Sequence, residues 1–232
     1  MIQKDSSLGV CVPNQSELPS AVLTGDLVKS QRYASDTVDR ALDAIASIAN
    51  SHFDTTFDLA PKFTRFRGDG WQFVIGNVPR ALSLAIQIQA TLKGASGLPS
   101  TRISIGVGKV DSMGSASLAD ASGEAFVVSG RALDWLERKG RTLAIDGKGI
   151  TYLHQIAVEF LQLRIKLWTP QQAEATALFL GSGEPTGREI ATRLGISEQA
   201  VSYRLAGADA RRISELLHEW ESEFQLLPGG PQ

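Results

Sequence analysis

In the stretch Gly187 to Leu205, GREIATRLGISEQAVSYRL, polar and apolar residues fall at the spacing of two short helices joined by a tight turn. Ser197, Glu198, Gln199, Ser202, Tyr203 and Arg204 face outward on the second helix. Their amide, hydroxyl, carboxylate and guanidinium groups can meet base edges and phosphates, and in a helix-turn-helix this is the face that enters the major groove. The other positions build the pair. Ile190, Ala191 and Leu194 give the first helix an apolar stripe, and Gly195 supplies the permissive backbone of the turn. Ile196 plugs the angle, Ser197 caps the second helix, and Val201 and Leu205 point back to the core. DNA is the partner this pattern predicts; an ordinary helical hairpin packed on its own domain shares the apolar positions but needs no such outward face.

The charge balance limits that partner to a local contact. Across 232 residues, 23 Lys and Arg stand against 25 Asp and Glu, a formal net charge of −2, which argues against a general nucleic-acid coat. Arg188, Arg193, Arg204, Arg211 and Arg212 nevertheless gather around the helix pair, with Glu215, Glu219, Glu221 and Glu223 following them. The single cysteine, Cys11, forms no internal disulfide, no apolar run reaches the length of a membrane span, and the start MIQKDSSLG lacks the apolar core of a signal peptide; a cytoplasmic location and no membrane partner are expected. His52, His154 and His218 show no metal-ligand spacing, and there is no GxxxxGK[ST] loop.

Upstream, strands and helices alternate. Residues 1–18 read as a polar, flexible arm. AVLTGD is a short buried strand, and SDTVDRALDAIASIAN has helical spacing at Val38, Leu42 and Ile45. FTRFRGDGWQFVI is a hairpin turning at Asp69-Gly70. PRALSLAIQIQATLKG is a second helix, TRISIGVGKV a strand, GEAFVVSGRALDWLERKG a third helix and RTLAIDG a further strand. From Ile150 the pattern is helices only. The chain is therefore divided into the arm, an α/β domain over 19–150, a helical linker and helix-turn-helix domain over 151–227, and a tail over 228–232.

The order of pieces and the residues GDLVKS, RGDGWQF and DASGEAFVVSGRAL resemble the class III nucleotidyl cyclase homology domain and, with the helix pair appended, the SatD family, over about residues 20 to 205. The resemblance implies a ferredoxin-like, cyclase-type α/β sandwich followed by an all-α helix-turn-helix domain. It also implies a purine nucleotide (ATP, GTP or a cyclic nucleotide), Mg²⁺ or Mn²⁺, and a homodimer paired head to tail. Asp26 and Asp69 match the family's metal-binding aspartates, and carboxylate oxygens are what these ions prefer. Lys29 lies in the segment after Asp26, which would open a helix whose N-terminus can hold phosphate. Arg65 and Asp120 match the purine-reading positions, and Arg131 the phosphate-contacting arginine. Val127 stands where the family has an asparagine, and valine offers no donor. The match thus implies a degenerate domain that senses a nucleotide; an active cyclase is the alternative. Without the family, Asp69 is a turn residue, Asp26 a helix cap, and Arg131 an ion-pair partner of Asp134 or Glu137.

Overall fold

The computed structural model describes residues 19–51, 63–66, 68–181, 183 and 185–226; the expected arm and tail, with Cys11 and His52, lie outside them. Strand β1 (Ser20–Leu27), helix α1 (Ser35–Ser51), the hairpin β2 (Thr64–Phe66) and β3 (Gly70–Ile75), helix α2 (Ala81–Gly94) and β4 (Thr101–Gly108) form a split βαββαβ unit. Helix α3 (Glu124–Lys139) then crosses to β5 (Leu143–Gly147), which adds parallel to β4. The sheet order is β2-β3-β1-β4-β5, with β1 antiparallel to both β3 and β4. This is a ferredoxin-like α/β sheet carrying one extra edge strand.

The two faces of the sheet differ. Ala21, Leu23, Leu27, Trp71, Phe73, Ile103 and Ile105 project from alternate strand positions into the main core beneath α1 and α2. On the other face Thr24 and Ser104 meet α3, and Gln72 Nε2 donates to Thr24 Oγ1 at 2.7 Å. The Thr24 hydroxyl is 2.9 Å from that of Ser129, and Ser104 Oγ donates to the Ser129 carbonyl at 2.7 Å. Trp71 is fully buried, its Nε1–H donating to Thr101 Oγ1 at 3.0 Å, so it is a core residue.

Helices α4 (Tyr152–Lys166), α5 (Pro170–Phe179), α6 (Gly187–Leu194), α7 (Glu198–Gly207) and α8 (Ala210–Leu226) follow the last strand. They share the sheet's core without a break: Ala173, Ala175, Val201, Leu205, Ile213 and Phe224 belong to the same buried cluster as Leu23 and Ile105. Helix α2 explains how. It is buried on every side, from Ala81 through Leu92, because the sheet lies against one flank and α5 against another. A Cβ on Gly94 would lie 2.6 Å from the backbone of Glu174, so the approach of α2 and α5 depends on that glycine.

Helix α4 opens with a capping box in which Thr151 N–H donates to His154 Nδ1 at 2.9 Å, and the ring packs on Trp220 and Phe224 at 5.0 and 5.2 Å. Burial lowers the pKa of His154. The folded state thus favours the neutral ring, and a proton on Nδ1 would displace the Thr151 donor. Because the unfolded chain binds that proton more readily, the contribution is full above the ordinary value of 6.5 and is lost as pH falls below it. His154→Gln keeps an acceptor at this position without titrating. We expect urea denaturation midpoints of the wild type to drop on acidification through this window and those of His154→Gln to drop less; parallel curves would exclude the histidine as the cause.

Candidate functional site

Register brings the two aspartates to one end of the sheet. Asp26 lies across from Gly70 on β3 and from Arg102 on β4, and Leu27 N–H donates to the Asp69 carbonyl at 3.2 Å. The hairpin differs from the expected two-residue turn. Gly68 takes the positive φ of 88°, while Gly70 belongs to β3, where a Cβ would lie 2.7 Å from the Phe66 ring. Asp69 therefore sits between them, and its carboxylate accepts from the Ser30 hydroxyl.

Asp26 is engaged by a residue that the sequence pattern did not single out. Arg102 donates Nε–H to Oδ1 at 2.8 Å and Nη2–H to Oδ2 at 2.7 Å, and also approaches Glu137 Oε1 at 3.2 Å. The pair is mostly shielded, with side chains 17% and 22% exposed. The Asp26 hydrogen bonds raise the Arg102 pKa above its already high range; burial opposes this, and Glu137 and Asp69 add to it. A cation in an otherwise uncharged strand, in register with an aspartate on the neighbouring strand, is the signal that could have revealed the pair. It also corrects the reading of Asp26 as a helix cap.

The same geometry decides how far these residues suit a divalent ion. Two carboxylates at one sheet end are suitable donors, and Mg²⁺ commonly needs only one or two when a polyphosphate completes its shell. Yet both Asp26 oxygens face the Arg102 fork, and no group of three ligating side chains occurs among the described residues. The residues present therefore do not fit a resident metal ion while that fork is closed.

A three-residue 3-10 turn (Ser30–Arg32) follows Lys29, and α1 begins only at Ser35. No helix opens directly after Asp26, which corrects that expectation; Lys29 is exposed, in the left-handed conformation at φ 57°. Arg65 pairs with Asp39 of α1 at 2.7 Å. Asp120 holds its own loop, accepting from Ser115 N–H at 3.0 Å and from Ser115 Oγ at 2.7 Å. Arg131 lines a groove of about 550 Å³ with Trp135, Arg138 and Tyr152, and neither aspartate lines that groove. Val127 is half exposed on α3.

In the helix pair, Gly195 caps α6 at φ 63°, Ile190, Val201 and Leu205 are buried, and Ser197 Oγ accepts from Ala200 N–H at 3.1 Å. Thr186 and Glu189 add a capping box whose hydrogen bonds hold the Glu189 carboxyl below its ordinary range. The outward face is narrower than its spacing implied. Arg204 turns back to α5 and donates to Glu174 Oε2 at 3.0 Å, while Glu198 pairs with Arg188 at 3.1 Å. Gln199, Ser202 and Tyr203 remain exposed, Tyr203 by 70%, with Gln199 Nε2 3.3 Å from the tyrosine hydroxyl. Nearby, Arg212 pairs with Glu215 and Glu219, and Arg211 lies over the Phe179 ring.

No family model and no curated protein matches the chain. Among solved structures it is similar to a bacterial light-regulated adenylyl cyclase, with 17% identity, a TM-score of 0.41, and coverage of 55% of this chain and 43% of the cyclase. It is also similar to the active GGEEF domain of a diguanylate cyclase from Vibrio cholerae (20% identity, TM-score 0.40, 58% and 85% coverage). A guanylyl cyclase matches at 19% identity, TM-score 0.35, with 50% and 70% coverage. The chain thus spans less than half the length of the light-regulated enzyme. No described helix is long and apolar enough to cross a membrane.

Proposed function

We propose that the chain is a DNA-binding regulator acting as a homodimer, and that its α/β domain holds a purine nucleotide as a signal at the Asp26 and Asp69 end. The observation that carries the DNA half is the exposed row Gln199, Ser202 and Tyr203 on a helix whose other side is locked into the core. Such a helix is fixed in direction, which base reading requires. The two halves are linked mechanically: Glu174 of α5 touches Gly94 of α2 and pairs with Arg204 of α7. A shift of the sheet against α2 would therefore move α7, and two such helices in a dimer would change their spacing on DNA half-sites. Asp26 and Asp69 are the residues that would hold a Mg²⁺ or Mn²⁺ accompanying the polyphosphate, with the Arg102 fork open, and the ion would supply neutralisation of the phosphate charge. Turnover to a cyclic nucleotide is the second reading, favoured by the two aspartates at one sheet end and opposed by Val127.

The test is selection of a preferred duplex from a random library, followed by fluorescence anisotropy on it. Gln199→Ala and Tyr203→Ala should each weaken specific binding about tenfold or more, as loss of a base-edge contact does. Arg204→Ala should act through stability, by freeing Glu174, rather than through sequence preference. Unchanged affinity in both reading-face variants would remove α7 as the reader. Adding ATP, GTP or a cyclic nucleotide should shift the anisotropy curve if the signal reading holds, and product formed from ATP or GTP would favour the enzyme instead.

A further inference from the structure

Helix α4 has two apolar sides. Val158, Leu161 and Ile165 turn into the core. Leu153, Ile156, Phe160, Leu163 and Leu167 run down another side at intervals of 3, 4, 3 and 4 residues, the a/d repeat of a coiled-coil seam. Leu153, Phe160, Leu163 and Leu167 are 75%, 69%, 54% and 71% exposed. Single exposed apolar residues need no explanation, but a heptad seam along a whole helix is a contiguous face.

We propose that this seam is where two copies of the chain pair, α4 against α4 and antiparallel. A second copy is the occupant because the seam is self-complementary in the spacing of its apolar residues and in charge. Two-fold antiparallel packing sets the layers Ile156 with Leu167 and Phe160 with Leu163 of the opposite copy. Glu159 and Lys166 occupy equivalent flanking positions one heptad apart, so each Glu159 comes opposite the Lys166 of the other copy. Glu159 is 43% exposed and accepts from Arg141 through Oε2 at 2.7 Å, and Lys166 is exposed, while Arg164 is engaged by both Asp209 and the Gly207 carbonyl. That leaves Lys166 as the cation to meet Glu159, which favours the antiparallel over the parallel register. The pairing deepens the homodimer of the proposed function by naming its surface, yet uses neither nucleotide nor DNA.

Sedimentation equilibrium of the full chain, without nucleotide or DNA, tests it. The wild type should sediment at twice the chain mass, and Phe160→Glu and Leu163→Glu should each sediment as monomers. Because both side chains already face solvent, the far-UV circular dichroism spectra of these variants should match the wild type, while the wild-type melting temperature alone should rise with protein concentration. Glu159→Lys and Lys166→Glu should each weaken the dimer, and the doubly exchanged variant should recover it. A wild-type monomer at every concentration, or a dimer that survives both glutamate variants, overturns the α4 seam and leaves the DNA and nucleotide readings to their own assays. Failure of the charge exchange to recover association overturns the antiparallel register.

Discussion

Asp26→Ala should lower folding stability by about 3 kcal/mol, and adding Arg102→Leu to it should restore most of the loss. Removing one partner of a shielded ion pair leaves the other charge without compensation, whereas replacing both with apolar groups does not. Arg102 would retain only Glu137 at 3.2 Å, itself 66% exposed. The loss is set at the low end of the range for buried pairs because Asp26 and Arg102 keep 22% and 17% exposure. Urea denaturation of the wild type, both single variants and the double variant closes the cycle, and a near-zero coupling would show that the pair contributes no more than a surface contact. The same set bears on the nucleotide proposal. Arg102→Leu leaves Asp26 and Asp69 at one sheet end without the guanidinium, so Mn²⁺ with ATP or GTP should raise its melting temperature more than that of the wild type. Asp26→Ala with Asp69→Ala should abolish any such rise; persistence of the shift would exclude the two carboxylates as its source.

Much of the fold was legible because burial leaves a period in the chain. The short buried run of β1, the helical spacing in α1 and the turn glycine of the α6–α7 pair all follow from which faces each element buries. What could not be read depended on partners distant in sequence. The near-uniform apolarity of α2 marks a helix covered all round, but not that α5 covers it. The offsets that marked Arg65, Asp120 and Arg131 fix a position along the chain, not the direction of a side chain. Asp39 and Ser115 engage the first two, and Arg131 faces a different groove. Arg204 shows the same limit: its place on the helical wheel suggested solvent, yet a long guanidinium side chain at the wheel's edge reached Glu174. Asp26 and Asp69 reach one end of the sheet because strand register, invisible before pairing is known, sets Asp26 across from Gly70.

Gly106→Ala should cost about 4 kcal/mol or more, enough to leave little margin in a domain of ordinary stability. The methyl group would stand 2.3 Å from the Ala125 carbonyl oxygen and 2.5 Å from the Ser129 nitrogen, both backbone atoms of α3. No rotamer change relieves such a contact, so α3 must retreat from the sheet by about 1 Å to reach ordinary van der Waals separation. That retreat stretches the bond between Thr24 and Ser129 and the bond from Ser104 to the Ser129 carbonyl, whose residues are 4% exposed or less. Each hydrogen bond lost there strands a buried polar group at about 1 to 3 kcal/mol, and the overlap itself adds a similar amount. Gly130→Ala is the control. It lies in α3, where an added Cβ meets nothing within 4 Å, and alanine there should stabilise by up to about 1 kcal/mol. Chemical denaturation of the two variants should move in opposite directions; a Gly106→Ala protein as stable as the wild type would mean that α3 does not pack on β4 at this distance.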